Sequence, residues 1–247
     1  MELEELKKVE WFGDAYKEFI ALLASYGDEE YGRFNSRIIP DVGESFNVRM
    51  PVLRKIAREV EKNRDMNSFY NFVSSGGSYE EKLLQGILFS RLDFKSFSDM
   101  FNGIDYYILK MNNWAICDSF VTNIKPLVIK NRELFFQRAE NYIESDNPWA
   151  VRFGLVLMNN YFKEEEYLKE IFRRIKEVKI QDYYVNMAVA WLLSSCYLVD
   201  RERTKEFLTG NHVDDWCINK AIQKIVESLR VSTLEKEDIK KLKKKKS

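Results

Sequence analysis

The chain has 247 residues, of which 45% are apolar, only 10 are Gly and 4 are Pro. So few turn residues argue against an all-β sandwich, which needs turns about every 8–12 residues, and favour long helices. The single histidine, His212, argues against multi-histidine metal sites, and the balance of 39 basic and 39 acidic residues argues against simple charge-driven binding of nucleic acid.

The charges are not evenly distributed. Residues 240–247 contain six lysines and no acid, so residues 1–239 hold 33 basic and 39 acidic side chains, a balance of −6. A basic run of this kind is usually a solvated end and less often a contact with a polyanion.

Apolar residues recur at spacings of three and four along most of the chain, and no stretch alternates convincingly at period two. This pattern predicts an all-α protein. The predicted helices are 12–26, 29–38, 51–60, 67–75, 79–91, 94–102, 113–124, 132–145, 148–161, 164–177, 182–199, 202–209, 214–229 and 235–245.

Two helix starts carry capping signals. Ser78 followed by Glu81 matches a capping box, and Asn147 precedes Pro148, which suits the first helical position. Trp114, Trp149 and Trp191 are separated by 35 and 42 residues, near the ~40–47 residues of HEAT-type helix pairs. We therefore predict one HEAT-like α-solenoid domain over 1–239 followed by a basic tail over 240–247, with a concave binding face and a monomeric state.

Several patterns predict a cytoplasmic protein that needs no metal and no cofactor. The three cysteines, Cys117, Cys196 and Cys217, are odd in number and far apart, as in proteins with reduced thiols. The uncharged run 183–199 is 17 residues long, shorter than a membrane span, and predicts a buried helix. The chain has no paired-cysteine metal motif and no phosphate-binding glycine loop.

Charges interrupt two apolar helical faces. Asp118 lies about 40° around the helix from Trp114, on the apolar side of 113–124. Arg152 similarly interrupts the apolar helix 148–161, and Trp191 lies in the middle of 182–199. Each has a plain structural interpretation, a buried ion pair or a core tryptophan, beside the functional one, in which the side chains line a cleft.

Six segments look like the AlkD-type DNA alkylation repair proteins, in that family's order and at similar intervals, from about residue 30 to residue 231. They are FNVRMPVLRKIAREV (46–60), YEEKLLQGILF (79–89), NNWAICDSF (112–120), NPWAVRFGLVLM (147–158), YYVNMAVAW (183–191) and NKAIQKIVESLRV (219–231).

The resemblance implies a HEAT-like fold that holds duplex DNA and a monofunctional glycosylase that releases N3- and N7-alkylated cationic purines. It also implies roles for four residues. Asp118 matches the catalytic carboxylate, Trp114 and Trp191 match aromatic residues that pack on the deoxyribose of the lesion, and Arg152 matches the basic residue beside the backbone. These residue types suit the reaction, because a carboxylate and aromatic faces stabilise an oxocarbenium ion without a metal.

Further candidates for DNA contact are Arg54 and Lys55, within a basic cluster with Arg49 and Arg58, and the pair Lys220 and Lys224. For both groups, a solvated helix face is the alternative interpretation.

The chain departs from the family pattern at three positions near these sites. Val151 and Phe153 flank Arg152 where relatives often carry a second arginine, and Ser194 follows Trp191 where a basic residue is common. Fewer backbone contacts are therefore expected. These departures leave open a noncatalytic helical-repeat module that binds DNA or protein.

Overall fold

The computed structural model describes residues 1–244 and is helical in all its regular structure, which confirms the all-α prediction. The chain divides into two compact units, Met1–Lys130 and the part that begins at Asn131. The single solenoid domain over 1–239 stays a prediction, as does HEAT-like stacking. Of the tail over 240–247, residues 245–247 lie outside the described part.

The first unit contains eight α-helices within the described chain and two short 3-10 helices, Leu3–Lys8 and Phe89–Arg91. The α-helices are α1 (Gly13–Ser25), α2 (Glu29–Ile38), α3 (Met50–Val60), α4 (Met66–Ser75), α5 (Tyr79–Leu88), α6 (Phe97–Ile108), α7 (Trp114–Asn123) and α8 (Lys125–Lys130). Helices α3, α5 and α7 pack side by side in that order, and α4 packs against α5.

The centre of this row is an aromatic cluster under α5. Phe120 lies 4.1 Å from Tyr107 and 5.2 Å from Phe89 between ring centroids. The backbone approaches closely here, because a Cβ added to Gly86 would lie 2.6 Å from the Tyr107 hydroxyl. Glycine at this position therefore allows α5 to pack directly against the Tyr107 ring. That ring in turn sets the distance between α5 and α7.

The second unit repeats this arrangement. Its helices are α9 (Arg132–Ile143), α10 (Pro148–Tyr161), α11 (Glu165–Glu177), α12 (Tyr183–Val199), α13 (Arg201–Thr209), α14 (Asp215–Glu227) and α15 (Thr233–Lys240). Helices α10, α12 and α14 pack side by side, with α9 against α10, α13 against α12 and α15 against α14. Within residues 1–244, no helix combines the length and the apolar character needed to cross a membrane.

Local signals predicted most helix starts. The Ser78 hydroxyl accepts the backbone N–H of Glu81 while the Glu81 carboxylate accepts the backbone N–H of Ser78, as the capping box predicted. Asn147 accepts the N–H of Trp149 at the start of α10. The helix predicted over 94–102 is wrong in its bounds. It starts at Phe97, after the Ser96 cap, and continues to Ile108 because that segment buries its apolar side chains.

Candidate functional site

The first unit presents Trp114, Asp118 and Thr122 along one stripe of α7. Asn113 starts the helix, because its side-chain oxygen accepts the N–H of Ile116 at 3.1 Å. The spacing of four residues then places the three side chains on one face. Trp114 and Asp118 are half-buried and Thr122 is exposed. The apolar stripe is therefore interrupted by a carboxylate that reaches the surface, as its helical position predicted.

The indole of Trp114 is fixed by the last residue of α2. Its Nε1 donates a hydrogen bond of 3.1 Å to the carbonyl oxygen of Ile38. Beside it, the Asn112 amide donates to the carbonyl oxygen of Asp41 at 2.7 Å. The first bond joins Trp114 to the end of α2, and the second joins the start of α7 to residues 39–49, called the 39–49 loop below.

A buried carboxylate holds the 39–49 loop in turn. Glu80, at the second position of α5, is 0% exposed. Its oxygens accept the Ser45 hydroxyl at 2.8 Å and the backbone N–H groups of Phe46 and Val48 at 2.9 and 3.1 Å. A buried charge is stable only when it is bonded in this way. Glu80 therefore holds the loop that follows Ile38 and bonds to Asn112, so it supports the backbone beside the contact that fixes Trp114.

A basic groove of about 730 Å³ lies beside this stripe. Its lining includes Arg54, Lys55 and Arg58 of α3, together with Arg91 and the buried Leu88. The groove reaches α7 at Thr122 and Asn123, so it ends one helical turn from Asp118.

The cations of this groove outnumber its acids. Glu61 is the one acidic residue among the lining side chains, and it pairs with Arg91 at 2.8 Å. The surface therefore favours an anion, such as the phosphate groups of a nucleic acid.

The predicted basic cluster is thus divided by the structure. Arg54, Lys55 and Arg58 share the groove, whereas Arg49 pairs with Asp28, its Nη2 lying 2.8 Å from Oδ2. Asp28 also accepts the N–H of Tyr31 at the start of α2, and these bonds hold the pKa of Asp28 below its usual value. Arg49 is therefore occupied in joining α2 to the start of α3.

In the second unit, Arg152 is only 5% exposed. Its Nη1 donates a hydrogen bond of 2.7 Å to the carbonyl oxygen of Tyr184, at the start of the neighbouring helix α12. The same junction is packed by Trp149, whose ring centroid lies 5.2 Å from that of Tyr184. Arg152 thus joins α10 to α12.

Trp191 lies two helical turns beyond Tyr184 on nearly the same face of α12. It is 39% exposed, unlike its neighbours Leu192 and Leu193, which are fully buried. The Ser194 hydroxyl donates to the carbonyl oxygen of Trp191 at 2.7 Å. Trp191 is therefore a surface aromatic residue and not a core residue.

A row of four rings continues from this region along the first turns of α10, α12 and α14. Trp149 contacts Tyr184, Tyr184 contacts Tyr183 at 5.3 Å, and Tyr183 contacts Trp216 at 5.8 Å between centroids. We call these four residues the aromatic row. Lys220 lies 5.7 Å from the Trp216 ring, and Lys224 follows one turn later on α14.

The sequence-predicted residues therefore fall into two groups. Trp114 and Asp118 share α7 of the first unit, close to the groove of Arg54 and Lys55. Arg152 and Trp191 lie on the adjacent helices α10 and α12 of the second unit. Across the described residues, no group of three His, Cys, Asp or Glu side chains is placed to hold a metal ion.

Sequence reasoning missed Glu80, Arg91 and Trp216. In the sequence, Glu80 is one of two acidic residues at a helix start. Acidic residues are common there because they interact favourably with the helix dipole. Its loop partners lie 32–35 residues away, and the sequence carries no sign of them. Trp216 could have been found from its position two residues after the Asp214 cap, where Tyr184 and Trp149 follow their caps Asp182 and Asn147 in the same way.

Comparison with known proteins gives one match. A family model described as DNA alkylation repair enzyme matches residues 19–225, which is most of the chain. No curated protein and no solved structure matches the chain significantly. The matched range includes both groups of candidate residues.

Proposed function

The chain belongs to the DNA alkylation repair enzyme family, and from that premise we propose that it is a monofunctional DNA glycosylase for cationic alkylated purines in duplex DNA. The observation that carries the proposal is the stripe of α7, where a tryptophan and a carboxylate reach the surface one turn from a basic groove. We further propose that Trp114, Asp118, Arg152 and Trp191 have the roles that the family resemblance implies for them, in a monomeric HEAT-like solenoid that holds the DNA.

The reaction would begin with loss of the base. An N3- or N7-alkylated purine already carries positive charge, so when its bond to C1′ breaks the electron pair neutralises the base and no strong acid is required. Positive charge then develops on the sugar as an oxocarbenium ion. The carboxylate of Asp118 would stabilise this ion and orient the water that attacks C1′, and the proton of that water passes to the carboxylate or to solvent.

The aromatic side chains would contribute in a different way. The face of an indole ring carries negative charge density, so Trp114 and Trp191 would stabilise the sugar cation and exclude water from it. The bond from Trp114 to Ile38 supports this role, because it fixes the orientation of the ring before DNA binds.

Phosphate groups on one side of the lesion would lie in the basic groove. Arg54, Lys55 and Arg58 are exposed along α3, and with the paired Arg91 and Glu61 they give the groove an excess of positive charge. This local excess supports DNA binding by a chain with no net charge.

A specific observation favours a second candidate, a noncatalytic DNA-binding member of the family. Arg152 is buried and bonded to the Tyr184 carbonyl, so it has less freedom to reach a phosphate than the family resemblance implies. Ser194, bonded to its own helix, adds no cation beside Trp191.

Duplex DNA containing N7-methylguanine separates the two candidates. The glycosylase proposal expects wild type to release the free base and Asp118→Asn to lose about 10²–10³-fold in rate while binding DNA with similar affinity. The noncatalytic candidate expects binding by both proteins and release by neither.

A further inference from the structure

The lysine-rich segment after α15 does not leave the surface at once. The Asn219 side chain on α14 forms two hydrogen bonds with the backbone of Lys244: its Nδ2 donates to the carbonyl oxygen at 3.1 Å, and its Oδ1 accepts the N–H at 2.9 Å. The ammonium of Lys244 also donates to Oδ1 of Asn211 at 2.5 Å. The segment is therefore attached to α14 at a defined point.

This attachment places Lys244 next to one end of the aromatic row. Asn219 and Lys220 follow Trp216 by three and four residues, so all three lie on neighbouring positions of one side of α14. Trp216 is 39% exposed and Tyr183 is 60% exposed, which is unusual for rings of this size.

The lysines near this end differ from those before them in how they are paired. Lys240 and Lys241 pair with Glu237 and Asp238 of their own helix. Lys220 instead bonds to the neutral Gln223, and the ammonium of Lys244 bonds to the neutral Asn211. Their positive charges are therefore not cancelled by a bonded carboxylate.

Acidic residues are also present at this edge, and most are engaged. Asp182 accepts the N–H groups of Tyr184 and Val185. Asp214 accepts the N–H of Trp216 at 2.7 Å. Because these carboxylates face helix N-termini, part of their charge is compensated by the helix dipoles. Asp214 and Asp215 are both exposed, and Asp215 lies in the first turn of α14.

Exposed rings followed by unneutralised lysines form a surface suited to a nucleic-acid backbone, in which rings pack on sugars or bases and lysines contact phosphates. We propose that Trp216, Tyr183, Lys220 and Lys244 bind a backbone segment of the DNA substrate, and that Asn219 positions the charge of Lys244 for this contact. The inference rests on the proposed DNA substrate but not on catalysis.

Salt dependence of binding to an unmodified duplex tests the proposal, because each lost phosphate contact lowers the slope of log K against log salt by about 0.9. The double variant Lys220→Ala/Lys244→Ala should lower the slope by about 1.8, and Asn219→Ala by up to about 0.9. Trp216→Ala should weaken binding about tenfold with the slope unchanged. Lys169→Ala, which removes an exposed lysine from α11, is the matched control and should behave like wild type.

The possible outcomes are distinct. If wild type binds duplex and the double lysine variant has the same affinity and slope, this inference is wrong while the proposed function stands. If wild type does not bind duplex at 50 mM salt, the proposed function fails first. Thermal unfolding of each variant shows whether it is folded. If Asn219→Ala is unfolded, the double lysine variant, which changes only surface side chains, still tests whether this surface binds DNA.

Discussion

The indole Nε1 of Trp114 donates its hydrogen bond to the carbonyl oxygen of Ile38, 76 residues earlier in the chain. The orientation of this ring therefore depends on the end of α2 as well as on its own helix, and the 39–49 loop follows Ile38 directly. That loop is held by the buried carboxylate of Glu80. Glu80, which lies outside the proposed reaction site, thus supports the backbone beside the contact that orients Trp114.

Replacement of Glu80 by glutamine tests this chain of contacts. The amide would present N–H groups to one of the backbone donors that the carboxylate now accepts, so we expect a loss of about 1–3 kcal/mol in the free energy of unfolding. Urea unfolding measures the loss, and excision by the folded variant should also slow because Trp114 is less well fixed. The exposed Glu18→Gln is the control. Unchanged stability of Glu80→Gln would refute the role of the loop.

The groove on α3 makes a separate prediction about DNA affinity. The double variant Arg54→Ala/Arg58→Ala removes two exposed cations and should lower the salt slope of duplex binding by about 1.8. Lys17→Ala is the matched control, because Lys17 is exposed and pairs with Asp14 outside the groove. Equal slopes for the groove variant and the control would show that DNA does not occupy this groove.

The start of α15 predicts an acid-sensitive contact. The hydroxyl and N–H of Ser232 and the guanidinium of Arg201 lower the pKa of Glu235 to about 2. Because the folded pKa lies below the ordinary value, this stabilisation is fully present above about pH 4.5 and is lost as the pH falls toward 2. The urea midpoint of Glu235→Gln should therefore lie below that of wild type at pH 7, and the difference should shrink as the pH is lowered. A difference that grows on acidification would contradict this assignment.

The three thiols should be unreactive in the folded protein. Cys117, Cys196 and Cys217 are buried, and burial raises the pKa of Cys196 and of Cys217 to about 12. Since the thiolate is the reactive form, a thiol reagent at pH 8 should modify none of them in native protein and all three in urea. Modification of one thiol at a rate faster than unfolding would show that its surroundings are more open.

Local rules predicted much of the fold. The uncharged run 183–199 became α12 over the same residues, and the caps at Ser78 and Asn147 formed as predicted. Helical geometry also placed Asp118 beside Trp114 correctly on α7. These features depend on residues close together in sequence.

Features built from distant residues could not be predicted in this way. Glu80 is hydrogen-bonded to the 39–49 loop. In that loop Asp41 and Asn47 adopt positive φ values of 58° and 60°, and neither is a glycine, the residue type that would have indicated such a conformation. Arg91 enters the groove through a short 3-10 turn and pairs with Glu61, 30 residues before it. The hydrogen bond between the Lys244 backbone and Asn219 could likewise not be predicted, because nothing distinguishes Lys244 from the lysines around it in the sequence.

A single-turnover assay on duplex DNA with one N7-methylguanine tests whether Asp118 drives release of a cationic alkylpurine. With enzyme in excess, wild type should release the base well above the spontaneous rate, and Asp118→Asn should be slower by about 10²–10³-fold at matched DNA occupancy. Release by wild type at the spontaneous rate, or equal rates for the two proteins, would show that Asp118 does not catalyse this reaction.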